Sequence, residues 1–161
     1  MAFDVRTFRH TLGEFATGVT VIAAEFDGVV QAMTANSFTS LSLDPPLVLF
    51  CAGKLTRVGQ LLLPQSGRFC INILHEAQQD QSTFFAGAWR DAEPPPFAFE
   101  DWHGAPRLVG SLASIVCETH AVHEGGDHWI VIGRVVAVDR LDADRRPLIF
   151  FRGQYAGLEE G

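Results

Sequence analysis

Residues 31–42, QAMTANSFTSLS, decide how this chain is read. The stretch is too polar for a core strand and too rich in β-formers for a loop. Thr34, Asn36, Ser37, Thr39, Ser40 and Ser42 supply hydroxyls and amides, while Met33, Ala35, Phe38 and Leu41 tie it to an apolar body. Asp44-Pro45-Pro46 then signals a turn, and Leu47 to Cys51 is a continuous apolar run of the kind that forms a fully buried strand. A Ser/Thr/Asn-rich strand leading into a buried one suits a flat ligand with polar edges. The plainer reading is a half-exposed strand whose outward face is rich in hydroxyls, and propensity alone favours it.

Upstream, Val19 to Ala24 is β-branched and apolar, and Asp27-Gly28 is a hairpin signal, so a strand returns from Val29 into the 31–42 stretch. Before that, Val5, Phe8, Leu12 and Phe15 recur at helical spacing, with Asp4 as N-cap and Gly18 as the stop. Downstream, Lys54 to Arg57 reads as a polar, partly basic turn. Val58, Leu61, Leu62 and Leu63 suit a short helix closed by a turn over Pro64 to Gly67. Phe69 to Leu74 reads as a strand and His75 to Ala86 as a helix packed by Phe84 and Phe85. Asp91 to Pro96 is an irregular loop, because three consecutive prolines exclude a helix. Leu112 to Val122 and Trp129 to Val138 are long β runs, and Pro147 to Phe151 is a last strand. About seven strands, few helices and no βα alternation predict a mainly β, antiparallel barrel or sandwich with a few short helices. One domain over residues 1–161 is expected.

Composition narrows the partners. Of 161 residues, 47% are hydrophobic and 13 are Phe, ample material for a core. Twelve Lys and Arg stand against 19 acids, for a net charge of −7, and no basic stripe appears. Nucleic acid and an anionic membrane surface are therefore not expected as partners. Nothing approaches the roughly eighteen apolar residues of a membrane span. The segment carrying Asp4, Arg6, Arg9, His10 and Glu14 has no apolar core of a signal sequence. Cys51, Cys70 and Cys117 each sit in an apolar run without a CxxC, which reads as buried free thiols in the cytoplasm.

There is no GxGxxG turn, no Walker A and no GxSxG elbow. Cys117, His120, His123 and His128 invite a metal. His120 and His123 have opposite parity on a regular strand, however, so no metal site is expected. His10, His75 and His103 read as solvated. Gly125-Gly126 can close a tight hairpin, leaving Asp127 in the turn and His128 at the head of a strand. Alternatively, these glycines admit a ligand to the backbone while His128 donates to a carbonyl or phosphate. Lys54, Thr56 and Arg57 suit a phosphate, or are simply solvated.

The segments FATGVTV (15–21), MTANSFTSLSLDPPLVLFC (33–51) and GRFCINIL (67–74), followed by Gln78, Ser82 and Phe85 to Gly87, resemble the flavin reductase family. So do GAPRL (104–108), Cys117, GGDH (125–128), Ile132-Gly133 and PLIFFRGQY (147–155). These are the short-chain NAD(P)H:flavin reductases that serve two-component monooxygenases. The resemblance implies an FMN-binding split barrel, paired as a homodimer with flavin sites near the interface. It implies that Met33, Thr34, Ala35, Asn36 and Ser37 line the ring edge, with Thr39 and Ser40 turned towards the ribityl chain or phosphate. Cys51, Ala52 and Gly53 would back the ring, and Lys54, Thr56 and Arg57 would meet the phosphate. His128, with Gly126 and Asp127, would engage the nicotinamide nucleotide as the catalytic histidine, and Arg152 and Tyr155 would border the flavin. Two positions depart from the family: Leu55 stands beside Thr56 where consecutive serines are common, and Ala32 stands where a glycine is often seen.

The implied activity is reduction of FMN or FAD by NADH, or NADPH, with hydride passing between rings stacked within roughly 3–3.5 Å. Reduced flavin would diffuse to a monooxygenase component. The alternatives are a flavoprotein reductase with ferric iron or a quinone as acceptor, and a split-barrel module that binds flavin without turnover.

Overall fold

Asp4 starts the first helix as expected, its carboxylate accepting from the Thr7 amide at 2.8 Å. Helix α1 spans Val5–Gly13, so it stops at Gly13 rather than at Gly18. The computed structural model describes residues 2–61, 67–141 and 144–159. After the short β1 (Thr17–Gly18), β2 (Thr20–Phe26) and β3 (Val29–Ala35) form the expected hairpin. Its turn residues Asp27 and Gly28 take φ of 50° and 76°, the positive values that a tight hairpin of this hand needs.

The 31–42 stretch is not one strand, as expected, but two. β3 ends at Ala35 and β4 (Thr39–Leu43) begins afresh, pairing with β5 (Pro46–Gly53). The cause is Ser37. Its hydroxyl accepts from the Cys51 amide at 3.0 Å and donates to the Cys51 carbonyl at 3.1 Å. A side chain thus satisfies the backbone groups that a continuing ladder would have used. β5 alternates between buried and half-buried positions, so it has one core face and is not the fully buried strand expected.

Helix α2 (Arg57–Leu61) and β6 (Arg68–Ile73) follow. The expected continuation of α2 through Leu62 and Leu63, and most of the turn closing it, lie outside the described residues. A 3₁₀ turn (Glu76–Gln78) leads into α3 (Gln79–Phe85). His75 caps that turn, with Nδ1 accepting from the Ala77 amide at 3.2 Å. It is buried, not solvated as expected. After the irregular 91–96 loop come the hairpin β7 (Phe99–Trp102) and β8 (Ala105–Leu108), then the long β9 (Ala113–Gly125) and β10 (His128–Arg140). The expected last strand is a second small hairpin, β11 (Ile149–Phe151) and β12 (Gln154–Ala156).

Seven strands form one antiparallel sheet in the order β3-β2-β6-β9-β10-β5-β4. A small sheet, β1-β11-β12, and the β7-β8 hairpin flank it. Residues from both halves of the large sheet share one core: Ile22, Met33, Phe50, Phe69 and Val131 are buried in a single cluster. The sheet therefore curls, although among the described residues no ladder joins its edges β3 and β4. At Gly133 a Cβ would lie 2.8 Å from the Phe69 ring and from Cys117, so only glycine lets β10 approach this core. Cys70 and Cys117 are buried, and burial pushes both thiols up to about 12. Cys51 is only half-buried, contrary to expectation. One surface is left uncovered. Val5, Phe8 and Leu12 on the apolar face of α1, with Phe15 two residues beyond its end, are 60, 48, 58 and 78% exposed.

Candidate functional site

The end of β3 and the residues after it lie between two clefts. One, of about 140 Å³, is lined by Thr34, Ala35, Asn36, Phe150 and Tyr155; the other, of about 210 Å³, by Thr17, Gly18, Asn36 and Phe38. Asn36 and Val19 belong to both. Asn36 is exposed and lines both openings. The Thr17 hydroxyl is buried without a hydrogen-bond partner among the described residues. Thr34 donates to the Ser82 carbonyl at 2.6 Å, and the Ser82 hydroxyl lies 2.8 Å from that of Tyr155. This chain of contacts ties β3, α3 and β12 into one wall.

Ser37 continues the site towards β5 through its two bonds to Cys51. Beyond Cys51, Ala52 is fully buried and Gly53 pairs directly with His128 of β10. The turn after Gly53 is knit by Thr56, whose amide and hydroxyl both donate to the Gly53 carbonyl, at 3.0 and 2.8 Å. The same hydroxyl accepts from the Gly59 amide at 3.0 Å, capping α2. The Thr56 hydroxyl therefore holds the turn first, and a ligand would share what is left of it. Arg57 is exposed beside it.

Gly126 and Asp127 form the two-residue loop between β9 and β10, with Gly126 at φ 70°. Of the two glycines expected to need positive φ, only Gly126 does. The loop lies against the 53–56 turn, because the Lys54 amide donates to the Asp127 carbonyl at 3.0 Å. The Asp127 carboxylate lies 2.7 Å from His128 Nδ1. This bond holds the carboxyl below its ordinary range, chiefly by the hydrogen bond itself and then by charge. A carboxylate only accepts, so Nδ1 carries the proton and Nε2 stands free on the side of Gly53. With Nδ1 bonded to Asp127, Nε2 accepts in the neutral ring and donates, as expected from sequence, in the protonated one.

The remaining expected site residues are dispersed. Met33 and Ala52 face the core and can only back a ligand. Thr39 and Ser40 lie exposed on the edge strand β4, Thr39 donating to the Ser40 carbonyl at 3.2 Å. Arg152 occupies the β11–β12 turn at φ 51° and pairs with Glu14, its Nη2 at 2.7 Å from the carboxylate. It lines a separate cavity of about 560 Å³ with Arg9 and His10, which shares no lining residue with the Tyr155 cleft. A register shift leaves His120 unpaired in a bulge, so β9 is not the regular strand on which His120 and His123 are expected to point to opposite faces. Among the described residues no three metal-ligating side chains gather.

Sequence reasoning missed Thr17, Ser82, Glu124 and Trp129. Glu124 and Trp129 were within reach: a two-residue loop at Gly126-Asp127 sets them opposite one another across β9 and β10. Thr17 and Ser82 stand among the residues that carry the family resemblance, but only the packing of β1 and α3 brings them to this site.

Comparison with known proteins identifies the family. The chain is 46% identical over 162 aligned positions to the Rhodococcus jostii flavin-dependent monooxygenase reductase subunit HsaB, covering 98% of this chain and 80% of that one. Its fold superposes on the flavin reductase PheA2 with a TM-score of 0.91 at 37% identity, covering 98% and 100% of the two chains. It also matches the Streptomyces globisporus NADH:FAD oxidoreductase SgcE6, solved in complex with NAD and FAD fragments. There the TM-score is 0.86 at 34% identity, over 97% and 93% of the chains. With the flavin reductase like domain matched across residues 12–159, the chain belongs to that family.

Proposed function

We propose that this chain is an NAD(P)H:flavin oxidoreductase that reduces FMN or FAD and releases the reduced flavin to a separate monooxygenase. One observation carries the reading. The Asn36-Ser37 ribbon, the 53–56 turn and the His128 hairpin converge at one end of the sheet, through the Ser37–Cys51 bonds and the Gly53–His128 pairing. The donor set fits a flavin: flat aromatic walls at Phe38 and Tyr155, the exposed Asn36, the Thr17 hydroxyl without a partner among the described residues, and the Lys54 and Arg57 cations on the 53–57 turn.

Asn36, with the backbone of Ala35 and Ser37, meets the polar edge of the ring, and Thr34 and Tyr155 border it. Lys54 and Arg57 hold the phosphate on the turn that Thr56 knits. Ser37 positions rather than binds. When bound, the flavin supplies the acceptor for a hydride from reduced nicotinamide. The protein's work is placement and water exclusion, together with donors aimed where charge develops. His128, oriented by Asp127, accepts from the carboxamide N–H of the nicotinamide through Nε2 and transfers no proton.

The chain is read as a single domain, its curled sheet as a split barrel, and its compartment as the cytoplasm. The uncovered face of α1, with Leu55 at 92% exposure in the turn beside Lys54, supports a homodimer whose interface adjoins the flavin. The deciding experiment mixes protein, NADH and FMN or FAD anaerobically and follows bleaching of the yellow flavin band. Bleaching is expected, and His128→Ala should raise KM for NADH before it weakens flavin binding. Flavin bound but inert to NADH would favour a non-catalytic binding module, and unchanged NADH kinetics in the variant would remove His128 from the site.

A further inference from the structure

The cation assigned to the phosphate is already engaged. Lys54 Nζ lies 2.5 Å from Glu124 Oε1 and 4.5 Å from the centre of the Trp129 ring. Glu124 and Trp129 face one another across β9 and β10, so the hairpin tip presents one lysine with both an acid and an aromatic face. The Lys54 side chain is 26% exposed and that of Glu124 is 73% exposed. A pair so open to water adds little to folding. Its consequence falls on the ligand, because carboxylate and phosphate oxygens are alternative partners for one ammonium.

Resting on the flavin reading above, we infer that Glu124 competes with the flavin phosphate for Lys54, weakening flavin binding and favouring exchange between turnovers. The geometry suits a reversible exchange. Trp129 steadies the lysine from one side, so only Glu124 has to swing away, and its side chain already stands mostly in water. Lys54 holds the Glu124 carboxyl below its ordinary range, so the competitor is ionised throughout the neutral range. A reductase that hands its product to another protein gains from a site that does not hold the phosphate too firmly.

The test titrates wild type and Glu124→Gln with FMN and with riboflavin, which lacks the phosphate, following flavin fluorescence. FMN should bind about two- to five-fold tighter to the variant, the range expected for removing one exposed ion pair. Riboflavin affinity should not change, and FMN release in stopped flow should slow by the same factor. In a Lys54→Met background the Glu124→Gln effect on FMN should vanish. Glu124→Asp, which keeps the charge but shortens its reach, should fall between and guards against a disturbed hairpin. Equal shifts for FMN and riboflavin, or no shift for FMN, would overturn the competition. Failure of wild type to bind either flavin would instead overturn the flavin reading itself.

Discussion

Ser37 separates two accounts of the 31–42 ribbon. If its hydroxyl is a ligand contact, Ser37→Ala should cost flavin affinity and leave the empty protein as stable as before. The structure predicts the reverse order of effects. The hydroxyl accepts from the Cys51 amide at 3.0 Å and donates to the Cys51 carbonyl at 3.1 Å, at a partly buried position. Alanine removes both bonds and leaves two backbone groups with only partial access to water. At about 0.5–1.5 kcal/mol net for each bond, and more where a group is left unsatisfied, the loss is about 2 kcal/mol. For a domain of this size that corresponds to roughly 4–8 °C in Tm. Urea unfolding of the flavin-free protein at fixed protomer concentration should show a lower midpoint with an unchanged slope. Ser37→Thr, which keeps the hydroxyl, should lose less. FMN affinity should fall in step with stability, through loosening of the Asn36–Phe38 loop. An unchanged urea midpoint together with lost FMN binding would refute the argument and return Ser37 to the ligand.

Gly59→Ala would place a Cβ 2.2 Å from the Gly53 carbonyl, which cannot retreat without breaking both Thr56 bonds. A loss of about 1–3 kcal/mol is expected, with weaker FMN binding, and an unaltered urea midpoint would reject the close approach. The His128 hydrogen bond depresses the Asp127 carboxyl from its ordinary 3.8, so the pair contributes above that value and is lost as pH falls through the lower, folded one. Followed by carbon NMR, Asp127 should therefore titrate at higher pH in His128→Ala than in wild type; identical midpoints would show that the bond is not made. Replacing both Phe8 and Leu12 by Glu should turn a sedimenting dimer into monomers. A wild type that itself sediments as a 17.6 kDa species would remove the dimer from the proposal.

The large sheet was legible in the sequence because its signals are local. Asp27-Gly28 and Gly125-Gly126-Asp127 each dictate a hairpin through backbone conformation alone, and the β-branched runs around them have nowhere else to go. Where the reading failed, a side chain had replaced a backbone partner. Ser37 ends one strand by imitating the next ladder bond, and His75 leaves solvent to cap a 3₁₀ turn. Both are polar residues whose role depends on which distant carbonyl or amide they meet, and no window of sequence contains that partner. The small β7-β8 hairpin and the β12 partner of the expected last strand escaped for a related reason. Their strands are only three or four residues long, too short for alternation to register, although His103-Gly104 and Arg152-Gly153 both take the positive φ that closes them.

The candidate site divides along the same line. Residue types were readable: a ribbon of hydroxyls and amides, a basic turn, a glycine hairpin with a histidine. Their pairings were not. Lys54 reads as a free cation until β9 brings Glu124 to 2.5 Å from it, and the Thr56 hydroxyl reads as a phosphate donor until Gly59 and Gly53 claim it. Arg152 and Tyr155 lie three positions apart at the end of one motif, yet a tight turn sends the arginine to Glu14 and the tyrosine to Ser82. In each case the sequence identifies a group able to bind an anion or a ring edge, and the fold decides how much of that capacity is still unspent. Among the described residues, Asn36, Arg57, His128 Nε2 and the Thr17 hydroxyl make no side-chain hydrogen bond that would compete with the proposed ligand. They are fewer than the sequence suggests, and on the proposed reading affinity then depends on how readily Lys54 leaves Glu124.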